Sequence, residues 1–148
     1  MAGHFVHRHL VTFDETNLVG NVYFAHYVRW QGHCRERFLL DRAPGVIARL
    51  SGDLALVTVD CAVEFYAEGF AGDQIEIRMG LDRMTGNRAA MTFDYVRCRD
   101  GREELLARGR QTVACMRRAA HGLEPAEIPD ELRAALAPFD PAGAPAGR

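Results

Sequence analysis

The chain of 148 residues contains no lysine; all 18 of its basic residues are arginines. Schiff-base chemistry, a phosphate-cradling P-loop lysine and a lysine general base are therefore excluded. Serine occurs once, as Ser51 in Leu50-Ser51-Gly52. That setting lacks the Gly-x-Ser-x-Gly elbow that presents a hydrolase nucleophile, so a serine triad is excluded as well. The four cysteines, Cys34, Cys61, Cys98 and Cys115, form no Cys-x-x-Cys pair. Neither a zinc site nor a thioredoxin-type motif can be read from them, and each stands in strand- or helix-like sequence as a small buried hydrophobe. No run approaches the roughly 18 apolar residues of a membrane span, and the first residues lack the basic-then-apolar order of a secretory signal. A net charge of −2 argues against blanketing nucleic acid or an acidic membrane with charge. The expectation is a cytoplasmic protein with reduced thiols and no cofactor or metal.

What is present suffices for one domain, expected over residues 1–137. A Pro/Ala/Gly tail over 138–148 should be flexible, since it carries three prolines and two glycines. From His4 to Phe13, Phe5, His7, His9, Val11 and Phe13 alternate with Val6, Arg8, Leu10 and Thr12, the period of a strand. His7 and His9 share a face, but no third ligand is near, and a partly solvated strand face is the simpler reading. Residues 14–21 are loop sequence, with Gly20 free to take positive φ. From Tyr23 to Leu40 the pattern is helical: Phe24, Tyr27, Val28, Gln31, Cys34, Phe38 and Leu39 gather on one side. Pro44 and Gly45 end this helix.

Four strands follow, over 54–66, 74–84, 88–99 and 104–117, with turns at Met84-Thr85-Gly86-Asn87 and Asp100-Gly101. A short helix is expected near 130–136. In the first of these strands Val57, Val59, Cys61, Val63 and Phe65 fall on one face. Strand, long helix, then four strands joined by tight turns predicts an α+β architecture: a five-stranded antiparallel sheet wrapped around one long central helix.

Arg35 breaks the sorting, because it falls inside the apolar face of the helix. A guanidinium there is either paired with a carboxylate, Asp60 or Glu64 being the candidates, or turned toward a ligand. Tyr27, Gln31 and Arg35 follow one another at i, i+4 and i+8, a row of polar heads on an apolar wall. Asn17 precedes the helix start, where free N–H groups such as that of Phe24 can stabilise an oxyanion. An asparagine does not titrate, so Asn17 either holds a water or carbonyl or simply caps its loop.

The block Phe13-Asp14-Glu15-Thr16-Asn17-Leu18-Val19-Gly20-Asn21-Val22-Tyr23-Phe24-Ala25-His26-Tyr27-Val28-Arg29-Trp30 resembles the loop-helix signature of hotdog-fold thioesterases of the 4-hydroxybenzoyl-CoA thioesterase type. The continuation Gln31-Gly32-His33-Cys34-Arg35-Glu36-Arg37-Phe38-Leu39 is similar, more narrowly, to the thioesterases associated with enediyne polyketide synthases. The resemblance implies dimers, or dimers of dimers giving a homotetramer, with active sites at the dimer interface. It implies a polyene β-keto or β-hydroxy acyl substrate delivered on the synthase's acyl carrier domain. The wider family carries an aspartate where this chain has Asn17, whereas the enediyne group shares the asparagine and uses the arginine matching Arg35.

On that footing the expected catalytic set is Asn17, Arg35, the Phe24 amide and Tyr27 as a secondary donor. The expected substrate contacts are Gly20, Gln31, Val57, Val59, Phe65 and Met91, the last four lining an acyl tunnel. Arg78, Arg83, Arg88, Arg97 and Arg99 would form a rim attracting an acidic carrier domain. A general acyl-CoA thioesterase and a non-catalytic polyketide-binding module are the competing expectations.

Overall fold

The structure, a computed structural model, describes residues 3–141. Strand β1 (Phe5–Leu10) leads through a loop with one short 3-10 turn (Phe13–Glu15) into helix α1 (Ala25–Arg42). Pro44 has no N–H to continue that helix and instead opens α2 (Pro44–Leu50), where an N1 proline costs nothing. Strands β2 (Leu54–Phe65), β3 (Gln74–Thr85), β4 (Arg88–Arg99), β5 (Arg102–Ala119) and β6 (Gly122–Pro125) follow, then α3 (Asp130–Leu136). Asp100 and Gly101 both take positive φ, 52° and 74°, the backbone that a two-residue hairpin between right-twisted strands requires.

All pairings are antiparallel in the order β1-β3-β4-β5-β2, and the inner face of the sheet packs on α1. This is the hotdog arrangement expected from the sequence, with one correction: the sheet has six strands. The extra strand β6 is four residues long, too short to show a period, and pairs with the far end of β5.

Two further expectations change. The packed chain runs past residue 137: Ala137–Phe139 forms a 3-10 turn, and Phe139 is buried edge-on against Phe38. The remainder of the expected tail, 142–148, lies outside the described residues. In β2 the alternation breaks at Val59. Thr58 pairs with Val113 and Asp60 with Thr112, which leaves Val59 as a bulge. Val57, paired with Ala114, and Val63, paired with Gly109, therefore fall on opposite faces of β2, and Thr58 turns to the helix side, opposite buried Val113.

Candidate active site

Glu15 anchors the loop that feeds α1, and sequence reading missed it as one more acid in polar loop sequence. It is buried, and its carboxylate accepts from the Thr12 N–H (3.0 Å) and the Trp30 indole N–H (2.9 Å), with His9 Nε2 at 2.8 Å. Trp30, also missed as a face residue, is wholly buried beneath His9. Burial alone would raise the Glu15 carboxyl, but the Thr12, His9 and Trp30 bonds outweigh it and hold the group down to about 2. Glu15's own carbonyl accepts the Tyr23 N–H at 2.9 Å, so one residue ties β1, α1 and both ends of the loop together.

The loop presents Asn17 to solvent. Its Oδ1 accepts the Val19 N–H at 2.9 Å, its carbonyl accepts the Gly20 N–H at 3.0 Å, and Gly20 has φ +95°. This tight turn needs glycine at position 20. Asn17 thus caps its loop through Oδ1, while Nδ2 has no hydrogen-bond partner among the described residues. The Phe24 N–H lies at the free N-terminus of α1 and likewise has no acceptor among the described residues, as the first helical turn dictates.

For Arg35 the structure removes the ion-pair reading. The side chain pairs with neither Asp60 nor Glu64. One terminal nitrogen, Nη1, donates to Gln111 Oε1 at 2.7 Å and to Thr58 Oγ1 at 3.1 Å. Its Nε is buried with no partner, and among the described residues no carboxylate lies within salt-bridge distance. Burial lowers its pKa from the ordinary value against the opposing pull of Glu36, and an arginine so placed keeps its charge. Beside it, a cavity of about 400 Å³ has apolar walls from Leu39, Ile47, Leu50 and Leu56, with Arg35, Glu36 and Arg118 as its charged members.

Other expected site residues sit elsewhere. Gln31 is wholly buried, bonded to the Ala62 carbonyl and to Gln111, so it braces the interior and does not line the groove. Tyr27 is buried among Trp30, Phe65 and Tyr95, with its hydroxyl against Gly69. Burial pushes that phenol up to about 12 against the opposing pull of the Gly69 backbone and Arg97, so it stays protonated. Met91 is packed in the core at the strand position paired with Gln111. Phe65 lays its ring edge-on against Tyr27 and is half exposed.

The expected rim of arginines thins. Arg78 binds Glu76 and Glu103, while Arg97 and Arg99 bind Asp73, and Arg97 also binds Glu104. Arg83 and Arg88 have no carboxylate partner among the described residues, and both line a second cavity with Arg110. His9 is committed to Glu15, so it does not join His7 in a ligand pair. Glu76, Cys98 and Glu103 lie within 4.8 Å of one another, yet Arg78 occupies both carboxylates.

A curled antiparallel sheet on one long helix is the hotdog arrangement, and the chain belongs to the thioesterase-like superfamily, which it matches over residues 11–136. Within that class it is a thioesterase of the kind represented by the dynemicin thioesterase. It shares 69% identity with that enzyme over 93% of this chain and 97% of the other, with a TM-score of 0.90. The crystal structures of that relative describe induced-fit and allosteric effects on polyene binding. Two more distant structures share the fold. The 4-hydroxybenzoyl-CoA thioesterase from Pseudomonas sp. strain CBS-3 has 14% identity over 90% and 99% of the two chains, TM-score 0.79. The 1,4-dihydroxy-2-naphthoyl-CoA thioesterase Slr0204 from Synechocystis has 23% identity over 90% and 96%, TM-score 0.73. No curated protein matches.

Proposed function

We propose that this thioesterase releases a polyene β-keto (or β-hydroxy) acyl chain from the acyl carrier domain of an enediyne polyketide synthase. The observation that carries this reading is Arg35, a cation that makes no salt bridge among the described residues, on the wall of a largely apolar groove. A polyene fills such a groove, and the β-keto carboxylate formed once the thioester is hydrolysed supplies the anion for Arg35. The thioester carbonyl sits at the start of α1, where the Phe24 N–H stabilises the oxyanion and Asn17 Nδ2 holds the carbonyl or attacking water. Water adds to the carbonyl carbon and the pantetheine thiolate leaves; the β-keto acid so formed passes along the groove to Arg35, loses CO2, and its enolate takes a proton from water to give a methyl ketone. No side chain here acts as a general base, a device worth roughly 10²–10⁴-fold elsewhere. The reaction is accordingly slow and relies on the reactivity of the β-keto group.

The protomers pair through β2. That strand lies at the sheet edge with Val57, Val59, Phe65 and Tyr66 exposed, and the Asn17 loop adds exposed Phe13, Leu18, Val19 and Phe24. An apolar edge strand left bare is a pairing template. A second copy covers it and places the active sites at the interface, and two such dimers form the tetramer. Val59→Lys puts a charge on that edge; sedimentation is expected to show dissociation to monomers, and an unchanged assembly would remove β2 from the interface. Arg83 and Arg88 are the free cations left to attract an acidic carrier domain. All four cysteines are free, which suits a cytoplasmic enzyme.

The decisive experiment loads an enediyne-type iterative synthase with its chain, adds the protein, and identifies the released product by mass. A methyl-ketone or β-hydroxy polyene appearing only with the protein is the expected result. Faster turnover of short or aromatic acyl-CoA esters would establish a general acyl-CoA thioesterase in its place. An unchanged product profile would mark a non-catalytic module.

A further inference from the structure

The Arg35 guanidinium is not simply left unpaired; a chain of amides presents it with a neutral acceptor. The Ala62 carbonyl of β2 accepts from Gln31 Nε2 at 3.1 Å, Gln31 Oε1 accepts from Gln111 Nε2 at 3.3 Å, and Gln111 Oε1 accepts from Arg35 Nη1 at 2.7 Å. Each primary amide has one donor end and one acceptor end. Because a backbone carbonyl can only accept, Gln31 must offer its nitrogen to Ala62 and hence its oxygen to Gln111. That in turn commits the Gln111 oxygen to Arg35. Flipping either amide would set donor against donor, so the polarity of the relay is fixed from β2 outward. Both glutamines are buried, so water cannot take over either bond. Position 109, one inward step along β5, is a glycine because a Cβ there would stand 2.2 Å from Gln31 Nε2 and 3.3 Å from the Ala62 carbonyl oxygen. The fold has made room for the relay.

We propose that Gln111 is a positioning residue for the reaction: through the relay it holds Arg35 toward the groove with an acceptor that carries no charge, so that the cation's preference for an anionic chain end is undiminished. This rests on the reading that Arg35 receives the substrate's negative charge. A glutamate at position 111 would have nearly the same shape, yet it would neutralise Arg35 and place oxygen against the oxygen of Gln31. The neutral amide is therefore a determinant of specificity and not a packing choice.

The test compares two ligands of one chain length, a long-chain β-keto carboxylate and its uncharged methyl ketone, as competitive inhibitors of thioester turnover. In Gln111→Glu the carboxylate is expected to bind at least tenfold more weakly, while the methyl ketone stays within twofold. Gln111→Met keeps the volume and removes only the acceptor; it is expected to narrow the preference for the carboxylate severalfold, and it serves if the glutamate variant fails to fold. Equal weakening of both ligands would overturn the proposal by showing that Gln111 only shapes the groove, and unchanged affinities would overturn it outright. Arg35→Ala run in parallel separates the premises. If it still discriminates between the two ligands, the anion-holding role of Arg35 fails; if it loses discrimination while Gln111→Glu keeps it, only the role of Gln111 fails.

Discussion

Arg35→Ala is expected to lower kcat/KM for release of a β-keto acyl chain by about 10²–10³-fold, the usual cost of removing one preorganised group that meets developing charge. The fold should be left intact. A buried arginine normally anchors its surroundings through a carboxylate, and removing it strands that partner. Here, among the described residues, Arg35 has hydrogen bonds only to Thr58 and Gln111, and its buried Nε has no acceptor. The buried Gln111 oxygen loses its donor at a cost of about 1–3 kcal/mol, and removal of the equally unsatisfied Nε donor offsets it. Kinetics on a carrier-loaded chain, with a thermal melt of the same sample, checks both halves. Full turnover with an unchanged melt would show that Arg35 does not meet the substrate's charge.

Glu15→Ala is expected to have the opposite profile, a large loss of stability with a loss of activity that follows from it. The substitution orphans the Trp30 indole N–H and the Thr12 N–H and removes the partner of His9. At about 1–3 kcal/mol for each buried donor, with the cavity left behind, the cost is about 3–5 kcal/mol. That corresponds to a fall of about 10 °C in Tm. The pH dependence of the unmodified protein gives an independent reading. A carboxyl held at about 2 in the fold against 4.5 without it contributes about 3 kcal/mol. Because the folded value is the lower one, this contribution is complete above about pH 4.5 and drains away as pH falls toward 2. Denaturant melts between pH 7 and pH 2.5 should show the loss in the unmodified protein and a flatter profile in Glu15→Ala; equal slopes would mean that Glu15 is not the group responsible.

Much of the architecture was legible because it is written in local pattern. The hairpin at Asp100-Gly101, the limits of β4 and the short helix α3 all follow from turn chemistry and periodicity over a few residues. Arg35 was legible for a related reason: a charge inside an apolar stripe conflicts with its own helix, and the conflict shows in one dimension. Other features depend on partners distant in sequence and had no such signal. Glu15 reads as loop until Trp30 and His9 arrive to bond it. Gln31 and Gln111 are eighty positions apart, and neither announces the other. Tyr27 and Gln31 share the face of Arg35, yet the sheet closes over them and leaves only Arg35 on the groove. Phe139 lies in sequence that composition marks as tail, and only the gap beside Phe38 gives it a place.

The bulge at Val59 sets the electrostatics of the site. A bulge is a phase shift: beyond it, every side chain of a strand exchanges faces. With the extra residue, Cys61 stands opposite Gln111 and Val63 opposite Gly109, and Asp60 and Glu64 fall on the other face. The same sequence in unbroken alternation from Thr58 would set Asp60 opposite Gln111 and turn Glu64 to the inner side. Asp60 would then be placed beside Arg35's own partner, within reach as a counter-ion. One inserted residue in an edge strand thus keeps both carboxylates off the helix-facing side and leaves the neighbouring arginine without a built-in counter-ion.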